Sequence, residues 1–408
     1  MDGRRIVFVE FSPSGGLFQF ALQLGTAMAA AGHDVHLVTG RTPELAAQRS
    51  GLRVHTVLPT WHPGDRKAPA GGVLRLARRA VRALRLFAAW LIVIPRLVSL
   101  HPDVVLWSGW RFGMDAAFVV LSDLVLPRSV LGIVAHEPVP SNVQDTRVGK
   151  SGPAFDALLT AAWRRMDVTF VLGERSREVL LRTWRPGGPV IVIPHGDMSA
   201  LRRSEVVRAV DATDPVVLFF GTWTSYKGIE VLLEAFAVVR RRVPGARLIL
   251  AGAVSGDVDL RALLRKAEEV GGVDARPGYV SADEVEELLA TTRVVVTPYL
   301  RASQSGVAHL AHTFGRPVVA TDVGDVSSVV RDGLTGLLVP PGRSGELADG
   351  IVALLDDPAL ARRLGDAGRR LLAETSSWHQ VAQCVNDGLN QVLPPAGSSA
   401  SPPRRVDR

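Results

Sequence analysis

The chain has 408 residues, of which 47% are hydrophobic and 21% are charged. This balance is typical of a globular protein with substantial cores, and it excludes an intrinsically disordered chain. At roughly 100–200 residues per domain, the length predicts two domains. Cys384 is the only cysteine, which excludes an internal disulfide and a cysteine-based zinc site and fits a reducing compartment.

The basic residues behind the net charge of +7 are concentrated in one segment. Between Arg75 and Arg96 the sequence RLARRAVRALRLFAAWLIVIPR contains arginines and no acidic residue. The helix predicted over residues 72–97 is amphipathic, which favours an anionic membrane surface; a solvated basic face is the alternative. Nucleic-acid binding is disfavoured because stacking aromatic residues are sparse. Within the most hydrophobic run, residues 84–100, only about ten uncharged residues lie between Arg85 and Arg96, whereas a membrane span needs about 20.

Strand-like and helix-like segments alternate along the chain, and this order restarts after a polar stretch at 197–214. The amino terminus reads as a first strand and turn, not as a signal peptide. Apolar runs joined by helices indicate parallel strands covered on both faces. The predicted fold is therefore α/β, with two doubly wound Rossmann-like domains that face each other across a ligand-binding cleft. The predicted strands are 6–11, 33–39, 54–58, 104–107, 130–134, 168–172 and 190–193, then 216–220, 247–251, 294–297 and 318–320.

Two strand–loop–helix junctions in the second half predict an anion site. Strand 216–220 is followed by a polar loop that brings Lys227 to the start of a helix. Strand 294–298 is followed by Ser305 and Gly306, which open another helix. Helix amino termini present free N–H groups and the positive end of the helix dipole. The pattern favours a diphosphate, and a sugar nucleotide is the leading ligand.

The order and spacing of several motifs together resemble the family-4 (group 1) glycosyltransferases of the GT-B fold, from Ile6 to about Val392. These motifs are FSPSGGLFQFALQLGTAMAAAGHDVHLVT, IPHG, FFGTWTSYKGIEVLLEAF, PGYVSADEVEELLATTRVVVTPY, GRPVVATDVG and DGLTGLLVPPG. The SQSGV sequence resembles one recognisable branch of the family.

The resemblance implies a retaining enzyme of hexosyltransferase type, without a catalytic metal or a cofactor. It would move a sugar from a nucleotide-diphosphate donor to a hydroxyl acceptor, either a lipid-linked glycan or a small secondary metabolite, in polysaccharide or glycoconjugate biosynthesis. We expect an acceptor-side domain over 1–196, a linker over 197–214, a donor-binding domain over 215–376, a helix over 377–393 crossing back to the first domain, and a disordered tail over 394–408. The expected location is the cytoplasm, peripheral on the inner face of the cell membrane.

The same resemblance assigns candidate site residues. His136, in GIVAHEPVP, and Lys227 are the catalytic candidates, although a histidine at a strand end is also often structural. His195 is expected to pack and to make contacts, not to catalyse. The candidates for the donor diphosphate are Gly15, Gly16, Gly221, Thr222, Lys227, Ser305, Gly306 and Val307; those for the nucleobase and sugar are Tyr279, Val280 and Gln304.

Three positions depart from the family pattern. Relatives often have an arginine where this chain has Thr222, and many have two glutamates where it has Ala302 and Leu310. Gln304, or less favourably His309, is a polar replacement. The departures favour an alternative, a non-catalytic homologue that acts as partner or scaffold for another glycosyltransferase. A Rossmann oxidoreductase is disfavoured because no GxGxxG follows a strand.

Overall fold

The computed structural model describes residues 3–46, 51–60, 62, 72–110, 113–137, 152–202 and 208–393. The chain divides into two compact units, one made of residues up to Pro194 together with those from Trp378 onward, the other of His195–Ser377. The described residues of the segment 197–214, predicted as a linker, therefore belong to the second unit, and the last helix belongs to the first. The predicted disordered tail, 394–408, lies outside the described residues.

The described part of the first unit contains a seven-stranded parallel sheet in the order β3-β2-β1-β4-β5-β6-β7. Its strands are Arg5–Glu10 (β1), Asp34–Gly40 (β2), Arg53–Leu58 (β3), Val104–Trp107 (β4), Val130–Ala135 (β5), Val168–Val171 (β6) and Val190–Val192 (β7). Its described helices are Gly16–Ala30, Gly72–Leu100, Gly113–Val125, Pro153–Arg164, Glu174–Thr183 and Trp378–Val392.

The strands of this sheet are apolar at consecutive positions because both faces are covered. In β1, Ile6 and Phe8 belong to one buried cluster, whereas Val7 and Val9 belong to another. Successive side chains of a strand point to opposite faces, so the run of apolar residues supplies both clusters. This is the pattern of a parallel sheet between two helical layers.

The last helix, Trp378–Val392, completes one of these layers. The Trp378 ring lies 5.1 Å from the Phe20 ring of helix Gly16–Ala30, measured between centroids. Val385 and Leu389 are buried in the same cluster. The last segment of the chain is thus part of the core of the first unit.

The second unit has a six-stranded parallel sheet in the order β10-β9-β8-β11-β12-β13 within its described residues. The strands are Val216–Phe220 (β8), Arg247–Gly252 (β9), Val273–Pro277 (β10), Val294–Thr297 (β11), Val318–Thr321 (β12) and Gly336–Val339 (β13). The described helices are Ile229–Arg242, Leu260–Val270, Ala282–Thr291, Gly306–Thr313, Ser344–Asp356 and Pro358–Thr375.

The two edge strands of this sheet, β10 and β13, were absent from the strands predicted from sequence. The sequence of β10, VDARP, has two charged residues, and each of its five residues is half-buried or exposed. The sequence of β13, GLLV, is only four residues long. Edge strands are partly solvated and often short, so their apolar pattern is weak.

Helix Gly72–Leu100 is the longest helix among the described residues. Its 21-residue stretch Ala80–Leu100 is long and apolar enough to cross a membrane by length and composition alone. The prediction from sequence considered only the uncharged residues between Arg85 and Arg96 and found them too few for a span; by the length and composition of the whole helix, that criterion was too strict. Leu86, Trp90 and Val93 are nevertheless buried in the core of the first unit, which commits one face of the helix to the protein.

Candidate functional site

The first of the two predicted junctions places a lysine ammonium directly over a glycine. Strand β8 ends at Phe220, and the residues Ser225–Lys227 form a turn of 3₁₀ helix before helix Ile229–Arg242. The Lys227 Nζ atom lies 2.9 Å from the point where a Cβ on Gly221 would be. A side chain at residue 221 would therefore require the ammonium group to move, and the φ of 119° at Gly221 independently favours glycine there.

The second junction lies beside the first. Ser305 is the N-cap of helix Gly306–Thr313, and its Oγ accepts a hydrogen bond of 3.1 Å from the Ala308 amide. The Val307 Cγ2 atom is 3.7 Å from the Cβ position of Gly221. The structure thus brings together Gly221, Lys227 and Val307, all predicted from sequence, with the amino terminus of a helix next to them. A cation and helix N–H groups in one place can bind an anion.

Gly228 allows these two loops to approach each other. It has the left-handed φ of 68° and is the N-cap of helix Ile229–Arg242. A Cβ at this position would collide with the Pro298 carbonyl oxygen of the second junction. The Leu300 amide also donates a 2.7 Å hydrogen bond to the Tyr226 carbonyl, so backbone contacts join the two loops.

The predicted nucleobase and sugar residues follow the same edge of the sheet. Tyr279 and Val280 are half-buried and follow β10, and the Gly278 amide donates a 2.9 Å hydrogen bond to the Gly252 carbonyl at the end of β9. The Gln304 side-chain oxygen is buried and receives no hydrogen bond within the part of the chain that the structure describes. Gln304 directly precedes the Ser305 cap.

The positions that depart from the family pattern are also defined. Thr222 is exposed and Ala302 is half-buried against the core. Leu310 is only 4% exposed, so its apolar side chain is directed into the protein.

Two stacked histidines, His195 and His309, lie next to the start of helix Gly306–Thr313. The sequence did not predict their contact. The His195 and His309 rings are 4.4 Å apart between centroids with an interplanar angle of 28°. The His195 Nε2 atom is 3.4 Å from the Cβ position of Gly306. Burial lowers the pKa of His309 to about 4, and its Nδ1 is 3.0 Å from the Ser305 carbonyl oxygen. His309 is therefore neutral near pH 7 and is engaged with its own helix.

In the first unit, His136 is buried at the end of β5. Its ring meets the Phe20 ring edge-on at 4.6 Å between centroids. Burial lowers the pKa of His136 to about 3. The imidazole is therefore neutral near pH 7, so it can exchange hydrogen bonds with hydroxyl groups and does not supply a positive charge.

The Gly15 amide, at the start of helix Gly16–Ala30, was predicted to bind the diphosphate but already has an acidic neighbour. Gly15 has a φ of 83°, and its amide donates a 2.9 Å hydrogen bond to a carboxylate oxygen of Glu44. The Gln19 side-chain amide donates to the same oxygen at 3.4 Å, and Gly16 is exposed. A carboxylate thus occupies one of the amides predicted for the diphosphate. Glu44 is distant in sequence, and no local motif indicated this contact.

No group of three or more His, Cys, Asp and Glu side chains is placed to hold a metal ion, among the residues that the structure describes.

Solved structures show the same architecture over nearly the whole chain. Sucrose-phosphate synthase from Thermosynechococcus elongatus superposes with a TM-score of 0.71 at 22% identity, over 95% of this chain and 98% of that chain. HepE of Anabaena, in a complex with UDP and glucose, superposes with a TM-score of 0.68 at 16% identity, over 95% and 100%. These likenesses and the two parallel sheets define the GT-B fold.

Sequence comparison then gives the family. The profile described as "Glycosyltransferase Family 4" matches residues 14–196, and the profile "Glycosyl transferases group 1" matches residues 214–357. The chain belongs to the family-4, group 1 glycosyltransferases, as the sequence predicted.

Individual relatives match over different lengths. Alpha-D-kanosaminyltransferase of Streptomyces kanamyceticus is 34% identical over 40% of this chain and 43% of its own length. D-inositol 3-phosphate glycosyltransferase of Arthrobacter sp. is 38% identical over 44% and 43%. The chain thus spans less than half the length of these two relatives. The enzyme of the same name from Corynebacterium efficiens is 27% identical over 97% of this chain and 94% of its own.

We expect Gly228→Ala to lower the free energy of unfolding by about 2 kcal/mol or more. The left-handed conformation costs an alanine roughly 1–2 kcal/mol, and the Cβ must also push away the Pro298 carbonyl. Gly333→Ala is a matched control, because Gly333 has a φ of 67° and a Cβ there would meet nothing within 4 Å. Chemical denaturation measures both variants; equal losses would show that the contact with Pro298 is unimportant.

Proposed function

We propose that the protein is a retaining glycosyltransferase that moves a sugar from a nucleotide-diphosphate donor to a hydroxyl acceptor without a catalytic metal. The observation that supports this most is the position of the Lys227 ammonium beside Gly221, next to the start of helix Gly306–Thr313. Sucrose-phosphate synthase and HepE share the fold, and HepE has been crystallised with UDP and glucose.

The proposed chemistry uses the charge that develops on the donor. When the bond between the sugar and the diphosphate breaks, negative charge grows on the departing phosphate. Lys227 and the amides of Ser305, Gly306 and Val307 would stabilise that charge, because preorganised cations and N–H groups act most strongly where charge develops. The acceptor oxygen would attack from the face that the diphosphate leaves, so that the configuration of the sugar is retained. We assign no protein nucleophile.

His136 is the proposed partner of a hydroxyl group in this reaction. A neutral imidazole can donate one hydrogen bond and accept another. With its pKa lowered to about 3 by burial, His136 would orient the donor sugar or the acceptor hydroxyl without adding charge. The acceptor would be a lipid-linked glycan or a small hydroxylated molecule.

A non-catalytic role is the less favoured candidate. Thr222, Ala302 and Leu310 remove charged groups that relatives often carry. However, the Lys227 ammonium lies next to Gly221, and Ser305 still caps the adjacent helix start. A scaffold would have no reason to keep an ammonium group over a glycine at a helix amino terminus.

We expect Lys227→Ala to lower turnover at least tenfold, which corresponds to about 1.4 kcal/mol or more of transition-state stabilisation. Lys266→Ala is the charge-matched control, because Lys266 pairs with Glu234 at 2.8 Å on the surface of the same unit. The assay follows transfer or hydrolysis of labelled nucleotide sugars with EDTA present, and both variants should melt as the parent does. Turnover of Lys227→Ala within twofold of the parent would contradict the assignment.

We also expect the site to accept thymidine diphosphate sugars. Leu310 stands where many relatives have the glutamate that holds the ribose, and its apolar side chain cannot accept a hydrogen bond from the 2′-hydroxyl. Leaving that hydroxyl buried and unpaired would cost about 1–3 kcal/mol, so deoxyribose should bind at least as well. Calorimetry compares UDP with dTDP; a preference for UDP of tenfold or more would show that another group, such as Gln304, holds the ribose.

The location that we propose is the inner face of the cell membrane, with helix Gly72–Leu100 lying in the lipid–water interface. The helix buries one face in the core and exposes Leu84 by 68% and Leu91 by 55% on another. The exposed surface continues onto the next helix, because the Phe87 and Phe118 rings are 5.7 Å apart between centroids and Leu124 is 69% exposed. Exposed leucines beside arginines suit an anionic lipid surface.

Sedimentation with vesicles tests this location. At low salt we expect the parent to sediment with vesicles that contain an anionic phospholipid and to stay in solution with neutral ones. Replacing Arg75, Arg78, Arg79 and Arg82 with Gln should weaken binding roughly a thousandfold, since each basic residue near such a surface adds about 1 kcal/mol.

An apolar variant and its control complete the experiment. Leu84→Ser with Leu91→Ser should also weaken sedimentation, whereas Leu181→Ser, which changes an exposed leucine on helix Glu174–Thr183, should not. If the parent fails to sediment with anionic vesicles, the membrane location is wrong and a soluble acceptor is favoured.

A further inference from the structure

Tyr299 lies between the two junctions and touches both of them. It follows β11 after Pro298 and is almost entirely buried. The Lys227 Nζ atom lies over its ring, 5.2 Å from the centroid. Its hydroxyl hydrogen-bonds with the side chain of Ser305, the residue that caps helix Gly306–Thr313. One side chain thus contacts the cation of the first junction and the cap of the second.

The backbone fixes the position of this tyrosine from two sides. The Thr321 hydroxyl, at the end of β12, donates a 2.5 Å hydrogen bond to the Tyr299 carbonyl. The amide of the next residue, Leu300, donates to the carbonyl of Tyr226, which immediately precedes Lys227. The ring is therefore held relative to both the sheet and the lysine loop.

An aromatic ring holds a cation in a way that suits anion binding. The face of a tyrosine ring attracts an ammonium group at about this distance through its quadrupole. A carboxylate would also attract the ammonium, but it would cancel the positive charge. The ring carries no net charge, and burial raises the pKa of the Tyr299 hydroxyl to about 12, so the phenol stays neutral. The ring therefore adds no negative charge next to the Lys227 ammonium.

We propose that Tyr299 is a positioning residue for the donor diphosphate, which holds the Lys227 ammonium with its ring and Ser305 with its hydroxyl. It sets the distance between the cation and the helix amino terminus before the donor arrives. Tyr299 does not itself contact the reacting atoms. This inference rests on the proposed function, because it assumes that a nucleoside diphosphate binds at these two junctions.

A double-mutant cycle separates this role from a purely structural one. Tyr299→Phe keeps the ring and removes the hydroxyl, and Tyr299→Leu removes both, so the step between the two variants isolates the ring. Each is made in the parent and in Lys227→Met. Calorimetry measures the Kd of UDP or dTDP, whichever the parent binds more tightly, and of the corresponding monophosphate.

In the parent background we expect Tyr299→Leu to bind the diphosphate about fivefold more weakly than Tyr299→Phe does, because the attraction between ring and ammonium is lost. In the Lys227→Met background the same step should change the Kd less than twofold, since no ammonium remains to be held. The monophosphate should be affected less than the diphosphate in every case.

The contrary outcomes are distinct. If the step from Tyr299→Phe to Tyr299→Leu raises the Kd by the same factor in both backgrounds, the positioning role is overturned and the proposed function stays intact. If the parent binds none of UDP, dTDP, GDP and ADP, the proposed function fails and the inference fails with it; if it binds only GDP or ADP, the cycle is measured with that nucleotide. Melting curves check the fold of each variant; if Tyr299→Leu melts well below the parent, Tyr299→Met, with a longer apolar side chain, replaces it in the cycle.

Discussion

The proposed donor site depends on placing a positive charge where the fold already concentrates positive charge. Lys227 stands one residue before the glycine that caps helix Ile229–Arg242, and a cation is unfavourable near the positive end of a helix dipole. The amino terminus of helix Gly306–Thr313 is close by. The ammonium and the two helix amino termini thus bring charges of the same sign close together. Gly221 leaves room for the ammonium and the ring of Tyr299 attracts it, which offsets part of this cost, and an anionic ligand would offset more of it.

The histidines near the two candidate regions do not change this balance at neutral pH. Burial lowers the pKa of His136 to about 3 and that of His309 to about 4, so both are neutral well above those values. The charge that the proposed site would present to a donor therefore comes from Lys227 and from backbone dipoles. His195 and His309 stack on each other, and His309 hydrogen-bonds within its own helix start.

Local patterns predicted much of this arrangement, and tertiary contacts account for what they did not predict. The helix that begins after Ser305 and the lysine at the end of the loop after β8 follow from residues close together in sequence. The contact of Tyr299 with Lys227 joins residues 72 positions apart, and the contact of Glu44 with Gly15 joins residues 29 positions apart. Neither pair forms a motif, so only the folded chain shows them. Strand β10 was missed because an edge strand with VDARP lacks an apolar pattern.

The departures from the family pattern have a combined electrostatic effect. Thr222 removes one positive charge that relatives often have, whereas Ala302 and Leu310 remove two negative ones. The change from that pattern is −1 + 2 = +1 on these three positions, so the loss of the arginine does not make the region less favourable for an anion. Two glutamates at these positions, as the family resemblance leads one to expect, would repel a diphosphate. Without them, one lysine held by an uncharged ring has less negative charge to overcome. Glu44 has the opposite effect in the first unit, where its carboxylate occupies the Gly15 amide. The proposal for binding a diphosphate therefore rests on Lys227 and the helix start beside it.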